Sequence, residues 1–561
     1  VQVTRRRDPF AAVAALVAVV PFLPALRNGF VWDDGLYVGA NPVLRAGWPS
    51  VVPAAFGALT VGNWHPVTLL SLALDNAIGG PGPFVFHVTN LLLHGVNAAL
   101  AYRLAARLGG HRSAAVCATL LWAVHPLRVE SVAWIAERKD LLYVAFFLLA
   151  LLAYVRHVEG GGRIGRAYAV ALGLFAASAL SKAMAVSLVP VLFLTDWYLG
   201  RGLDRRSLAE KIPFALGGLS VGSVAIVVQH SAGALPELAG LGVASRLAYA
   251  CYGIVHYALT TVAPRGLAGM YRYPTAPAGG IPTAVWGSVV AAAVLGALAV
   301  WAGRRSRVAA YGLGFAVTTI ALVLQILPVG DAVAADRYTY LPSIGLATAL
   351  AAAIAWALAR WPRMASATVA AAVLALATGS WIRCGAWRDE MTFWTDVLAK
   401  DPSVTIAHQN LGVALDDRGD PAGALFHFDA AIRLNPRFAE AWWARANVRA
   451  AHGNLPGALD DYAEAVRLDP AVPKYWLNRA LALGDAGRWD DTLAALTEAI
   501  RLDPQFAEAY LNRGLALEQM GRAAEGLPDV LRASYLGYPV EPAVLARFNA
   551  ARDGAQGSSA R

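Results

Sequence analysis

The sequence is poor in charge. Only 15% of its 561 residues are Asp, Glu, Lys or Arg, against roughly 25% in ordinary soluble domains. The shortage excludes disorder, which needs high charge and low hydrophobicity. With 57% apolar residues, it also argues against a single water-soluble domain. Cysteine is scarce: Cys117, Cys251 and Cys384 lie far apart, make no disulfide framework and match no metal spacing. No Walker loop and no zinc-binding motif is present, and no serine-hydrolase elbow is expected, so ATP hydrolysis, metalloproteolysis and serine hydrolysis lack support.

The charge that is present is unevenly placed. Residues 1–382 hold 28 Lys/Arg and 14 Asp/Glu, whereas residues 383–561 hold 19 and 24. The net charge of +9 therefore averages two objects, an apolar basic front part and a water-soluble, mildly acidic tail. The cations sit in short clusters between apolar runs and form no interleaved patch. That pattern points to membrane topology and away from nucleic acid.

Apolar stretches close to the ~20 residues needed to span a bilayer recur at 10–26, 86–108, 113–127, 140–156, 167–182, 184–199, 212–229, 247–263, 283–302, 309–328, 343–360 and 364–382. The first reads as an uncleaved helix, because Arg27 and Asn28 follow it where a signal peptide needs small residues. Of the 28 front-part cations, 18 fall in six clusters. These are Arg5–Arg7; Arg103, Arg107 and Arg112; Arg156, Arg163 and Arg166; Arg201, Arg205, Arg206 and Lys211; Arg304, Arg305 and Arg307; and Arg360 with Arg363. Placing all six in the cytoplasm puts the N-terminus inside. Segments 27–85, 128–139, 264–282 and 329–342, and everything after the last helix, then lie outside. Twelve crossings would return the tail to the cytoplasm. One segment near 212–263 is therefore expected to be re-entrant or to lie on the surface, leaving about 11 crossings.

In the tail, Asp401-Pro402, Asn435-Pro436, Asp469-Pro470 and Asp503-Pro504 recur every 34 residues, the tetratricopeptide period. The expected fold class is all-α, a polytopic membrane helical domain over 1–382 followed by a tetratricopeptide α-solenoid. A connecting helix covers 383–404. Repeats occupy 405–438, 439–472 and 473–506, a degenerate capping repeat 507–540, and a C-terminal tail 541–561. Small residues such as Gly412, Ala424 and Ala458 let helices approach, and Phe428 and Tyr462 fill the gaps. Such an array binds a peptide or protein segment; a rigid spacer is the plainer alternative.

Several polar groups interrupt the apolar front part. The first outside loop opens with Phe30-Val31-Trp32-Asp33-Asp34. Two adjacent carboxylates there suit a general base or a divalent cation, and a solvated turn is the bland alternative. Trp64-His65-Pro66 follows, then His87, Asn90, His94 and Asn97 along one helix face. Polar stripes of that kind face the protein interior. The second outside loop carries His125-Pro126, Glu130-Ser131-Val132-Ala133-Trp134 and Glu137-Arg138-Lys139-Asp140. Its Arg138 and Lys139 are candidates to hold a phosphate, or else to pair with the nearby acids. Ser181-Lys182 and Asp336-Arg337-Tyr338-Thr339-Tyr340-Leu341-Pro342 complete the set.

These motifs, in this order and ahead of a tetratricopeptide tail, resemble the transmembrane and tetratricopeptide-repeat O-mannosyltransferase family in its bacterial form. The resemblance covers nearly the whole chain. It implies a GT-C membrane fold with its site on the outer face of the bacterial inner (cytoplasmic) membrane, and repeats on the periplasmic side. It implies a polyprenyl-phosphate-linked sugar as donor, protein hydroxyls as acceptor, no cofactor, no divalent metal and no nucleic acid. The base role falls on Asp33 or Asp34. His65, His125, Glu130, Arg138, Lys139, Lys182 and Arg337 become candidates for the donor phosphate and substrate. Gly35 stands where relatives often carry an acid, and Ala183 where a Pro is expected after Ser181-Lys182. The implied reaction is metal-independent inversion at the anomeric carbon. Two other functions fit the same composition, a membrane-tethered scaffold without catalysis and a transporter of lipid-linked precursors.

Overall fold

A computed structural model describes residues 8–231, 242–275, 280–324, 326 and 332–559; the Arg5–Arg7 cluster lies outside them. The chain divides into two compact units, Val1–Asp396 and Val397–Arg561.

In the first unit all twelve apolar stretches fall on helices over most of their described residues; part of 309–328 lies outside those residues. The helices are Pro9–Val19 continued by the 3₁₀ segment Val20–Arg27, then Pro83–Gly109, Arg112–Ala123, Arg138–Glu159, Arg166–Ser181, Leu188–Leu199, Arg205–Ser231, Val243–Val262, Thr283–Arg305, Arg307–Ile320, Pro342–Arg360 and Pro362–Cys384. Proline opens several of them at the first turn, where its missing N–H costs nothing. Glycine ends others. Among the described residues, seven helices are long and apolar enough to cross a membrane, and five shorter apolar helices accompany them. One of the shorter five, Pro66–Gly79, lies in the first long loop and was not expected as an apolar helix. Helices Arg307–Ile320 and Pro342–Arg360 touch at Gly312 and Gly345, where a side chain on either glycine would overlap the other's backbone. Small residues permit such close packing where lipid supplies no hydrophobic drive.

The bundle has two distinct ends. At one, Arg107 pairs with Glu159, Arg206 Nη2 donates to Gly162 O at 2.6 Å and Arg307 Nη2 donates to Trp197 O at 2.6 Å. Tyr102 there donates to Asp8 Oδ2 at 2.9 Å. Arg107, Arg206 and Arg307, from three of the basic clusters, thus share one end. At the other, Asn28 Nδ2 donates to Cys384 O at 3.1 Å, Thr68 Oγ1 to Ser181 O at 3.0 Å and Ser380 Oγ to Val124 O at 2.7 Å. A two-stranded antiparallel ribbon, Tyr271–Arg272 against Ala332–Ala334, also lies there, with Tyr271 OH donating to Asp336 Oδ1 at 2.8 Å.

This geometry bears on the expected odd crossing number. Helix Arg205–Ser231 starts at the basic end, where Arg201 binds Glu210 at 2.7 Å. Helix Val243–Val262 finishes at the opposite end, where His125 Nε2 meets Thr261 O at 3.0 Å. Together the two helices make a single net traverse. The last helix, Pro362–Cys384, then delivers the chain to the end opposite the basic clusters.

The second unit is a stack of helix pairs: Thr405–Asp416 with Pro421–Leu434, Ala439–Ala451 with Leu455–Leu468, Pro473–Asp485 with Trp489–Leu502, and Ala507–Gln519 with Ala523–Tyr535. Gly419, Gly453, Gly487 and Gly521 turn each pair with φ between 70° and 80°, a conformation open to glycine at little cost. The fourth repeat, expected to be a degenerate cap, is a complete pair. The cap is instead the helix Pro542–Ser559, read from sequence as a tail, whose Phe548 packs on Leu527 and Val530.

Candidate functional site

The end of the bundle away from the basic clusters carries a network of charges folded inward. Residues 126–137 form a 3₁₀ turn, one helical turn and a second 3₁₀ turn before helix Arg138–Glu159 begins. This irregular path buries Glu130 and Glu137 beneath the surface. Glu137 is the hub. Its Oε1 binds Lys139 Nζ at 3.1 Å and Arg337 Nε at 3.4 Å, and its Oε2 binds Lys182 Nζ at 3.3 Å. Lys182 also binds Asp140 Oδ1 at 2.5 Å. Arg337 Nη1 pairs with Glu130 Oε1, and the Arg337 backbone N–H donates to Glu130 Oε2 at 2.9 Å. Three cations from three distant stretches thus converge on one carboxylate. Their side chains retain 10–16% exposure. Aromatic faces hold them in place: Lys139 lies 4.9 Å from the Tyr37 ring centre, and Arg337 lies 5.6 Å from that of Trp134.

The two adjacent aspartates have different surroundings. Asp34 is buried and accepts from Val31 N–H at 3.0 Å and Ala136 N–H at 2.7 Å, one on each oxygen. It ties the first loop to the 135–137 turn. Burial pushes its pKa up to about 8, against the pull of those two N–H groups. Asp33 is only partly buried and lies in the field of Lys139, Glu137 and Arg337. Burial raises its carboxyl above the ordinary value, while Lys139 and Arg337 oppose the rise. Asp33 therefore remains the accessible carboxylate beside the cations.

Between them the loop is held from far along the chain. Trp32 adopts φ 57°, a left-handed conformation costly for a bulky side chain. Its N–H donates to Glu390 Oε1 at 2.6 Å, and Trp394 Nε1 donates to Glu390 Oε2 at 2.6 Å. The Trp32 ring stacks on Trp134 with centroids 4.9 Å apart and planes 7° apart. Gly29 N–H donates to Arg388 O at 2.8 Å. Sequence reading missed Glu390 as a partner of this loop, because 358 residues separate it from Trp32 and no local pattern marks it.

Of the other candidates, His65 joins the cluster and His125 and Arg138 do not. His65 stacks on Tyr37 at 5.4 Å, and its Nε2 has no hydrogen-bond partner among the described residues. Burial, then Lys139 and Lys182, lower its pKa to about 3, so the ring is neutral. His125 uses both nitrogens structurally: Nδ1 accepts from Leu127 N–H at 3.2 Å and Nε2 meets Thr261 O. Arg138 points into the bundle. It binds Asp75 Oδ2 at 2.7 Å, donates to Ser71 Oγ at 3.0 Å and Phe86 O at 2.7 Å, and also donates to Asn90 Oδ1. The polar helix face behaves as interior scaffolding. Asn90 donates to Val132 O and Trp134 O, His94 joins Tyr340 OH to Ala123 O, and Asn97 donates to Leu141 O. A Gly-Xaa-Ser-Xaa-Gly string at Gly218–Gly222, passed over in reading the sequence, lies within helix Arg205–Ser231. Its Ser220 Oγ donates to Leu216 O at 2.9 Å, so it forms no strand-to-helix elbow.

Comparison with known proteins finds similarity to proteins named as transferases. A family model described as dolichyl-phosphate-mannose-protein mannosyltransferase matches residues 65–230, and tetratricopeptide-repeat models match 410–473 and 482–521. The protein O-mannosyl-transferase Tmtc2 of Drosophila melanogaster is 35% identical over 218 residues, which cover 36% of this chain and 23% of that protein. The protein O-mannosyl-transferase F38B6.6 of Caenorhabditis elegans is 24% identical over 448 residues, covering 76% of this chain and 62% of that protein. The chain thus spans less than two thirds of the length of either relative. A crystal structure of MamA covers 26% of this chain and 85% of its own, at 23% identity and a TM-score of 0.25.

Proposed function

We propose that this chain, a relative of the transmembrane and tetratricopeptide-repeat O-mannosyltransferases over 76% of its length, is an integral-membrane glycosyltransferase. It moves a sugar from a lipid-phosphate donor to protein hydroxyls. The observation that carries this reading is a partly exposed carboxylate, Asp33, beside Lys139 and Arg337, two of the three cations gathered on Glu137. In the proposed reaction Asp33 takes the proton from the acceptor hydroxyl as its oxygen attacks the anomeric carbon. The bond from that carbon to the phosphate oxygen breaks on the opposite face. Lys139, Lys182 and Arg337 meet the negative charge that grows on the departing phosphate, where preorganised donors contribute most. The neutral His65 ring offers its unpartnered Nε2 to the same ligand. Glu130, Glu137 and Asp140 hold the cations, so these acids need no metal ion to balance them.

The test is transfer by the purified protein from a set of polyprenyl-phosphate sugars to acceptor polypeptides. One donor is expected to support transfer. Lys139→Ala, Lys182→Ala and Arg337→Ala are each expected to lose about 10–100-fold in donor use, since a hydrogen bond to a charged group contributes ~1.5–3 kcal/mol. Unchanged donor KM and kcat in all three would remove the phosphate-clamp assignment.

The orientation is part of the proposal. With the basic clusters on the cytoplasmic side, the site and the start of the repeat array lie on the outer face. The array then binds the acceptor or a partner protein there. Phosphatase fused after Arg561 is expected to be active, and a reporter that matures only in the cytoplasm is expected to stay dark. The reverse result would overturn both the topology and the acceptor-binding role.

A further inference from the structure

The repeat array carries a charge that its own pattern leaves unmatched. Arg445, Arg479 and Arg513 occupy the same position in successive 34-residue repeats. Each lies on the first helix of its pair, beside an aromatic ring three residues earlier. The guanidinium centres are 4.8, 5.8 and 5.7 Å from the ring centres of Trp442, Trp476 and Tyr510. Trp442 and Trp476 are fixed in turn, donating from Nε1 to Pro436 O and Pro470 O at 2.9 Å. The rings therefore set the three guanidinium groups in equivalent places.

What differs is the partner sixteen residues away on either side. Arg445 binds Asp429 Oδ1 at 2.5 Å and both oxygens of Asp461 at 2.7 and 2.9 Å. Arg513 binds both oxygens of Asp529 at 2.7 and 2.8 Å and donates to Thr497 Oγ1 at 3.3 Å. For Arg479 the two corresponding positions are Ala463 and Ala495. Neither side chain can accept a hydrogen bond from it. Arg479 makes no ion pair and no hydrogen bond among the described residues; its contact is the Trp476 face. Arg479 is half-buried, Ala495 is buried and Ala463 is exposed, so the position open to a ligand is the one beside Ala463.

We propose that Arg479 is a docking point for a carboxylate of a bound polypeptide. The incoming group takes the place of the carboxylate that Asp429 supplies to Arg445 from the position corresponding to Ala463. The planar fork of arginine matches a carboxylate with two parallel N–H bonds, and Trp476 fixes the fork before binding. The partner is thus a protein segment with an Asp or Glu side chain, or a free chain end, at the residue that meets Arg479. This goes beyond the transferase reading and does not depend on it, because binding is measured without transfer.

The experiment uses the full chain in detergent and two random decapeptide libraries, one with free C-termini and one amidated. Wild type is expected to select carboxylate-bearing peptides. Selection of Asp or Glu at one position in both libraries identifies a side chain as the source. Selection confined to the free-terminus library identifies a chain end. The chosen peptide is then expected to bind at least about tenfold more weakly to Arg479→Ala. Ala463→Asp supplies an internal carboxylate from an exposed position, and should block the peptide equally while leaving thermal stability unchanged or raised. Absence of acid selection in both libraries, or equal binding by wild type and Arg479→Ala, would overturn the proposal. So would Arg479-dependent binding of anionic lipid vesicles without peptide selection.

Discussion

Asp33→Asn is expected to lower the proposed transfer by about 10²–10⁴-fold, the range for loss of a general base, while the protein still inserts and folds. Asn keeps the shape and can no longer take a proton. Asp33 is the member of the pair that lies in the field of Lys139 and Arg337, and its carboxyl is raised above the ordinary value by burial. A raised pKa makes the ionised form a stronger base, at the cost of protonation as pH falls. The sign follows: wild-type rate rises with pH through the Asp33 pKa and then levels, and Asp33→Asn loses that limb. Asp34→Asn is expected to behave differently. It removes one of two backbone-accepting oxygens that join Val31 and Ala136, so it should loosen the first loop and expose it to proteolysis. Full transfer by Asp33→Asn would end the base assignment, whatever happened at Asp34.

The largest loss of stability is expected from Arg138→Ala. Its side chain has no exposure and its partner Asp75 has 5%. Removing the cation leaves Asp75 buried with Thr89 Oγ1, at 2.9 Å, as its remaining donor. Breaking a buried pair from one side costs about 3–5 kcal/mol, a large share of the stability of any domain. Arg138→Ala should therefore show a markedly lower Tm, and Arg138→Ala with Asp75→Ala should recover much of it. Lys139→Ala, one residue further on, should lower donor use with a smaller change in Tm. A normal Tm for Arg138→Ala together with lost donor affinity would return Arg138 to the phosphate site.

The contrast between these neighbours shows where local pattern stops being informative. Arg138 and Lys139 look alike in sequence, as do Asp33 and Asp34. One residue along a helix turns the side chain by about 100°. That rotation sends Arg138 between helices and leaves Lys139 on Glu137. In the first loop, hydrogen bonds to Val31 and Ala136 choose Asp34 as the tie and leave Asp33 open. Neither choice is encoded by spacing, since the deciding partners come from other parts of the chain.

The sequence by itself determined the apolar helices and the 34-residue array. Hydropathy, turn residues and repeat period are local properties. Tertiary structure alone decided which charged groups meet. Glu137 gathers Lys139, Lys182 and Arg337, and Glu390 grips Trp32 from the far end of the membrane unit. A buried charge is tolerated only where an opposite charge or a hydrogen-bond donor reaches it, and helix packing, acting between segments remote in sequence, sets that reach.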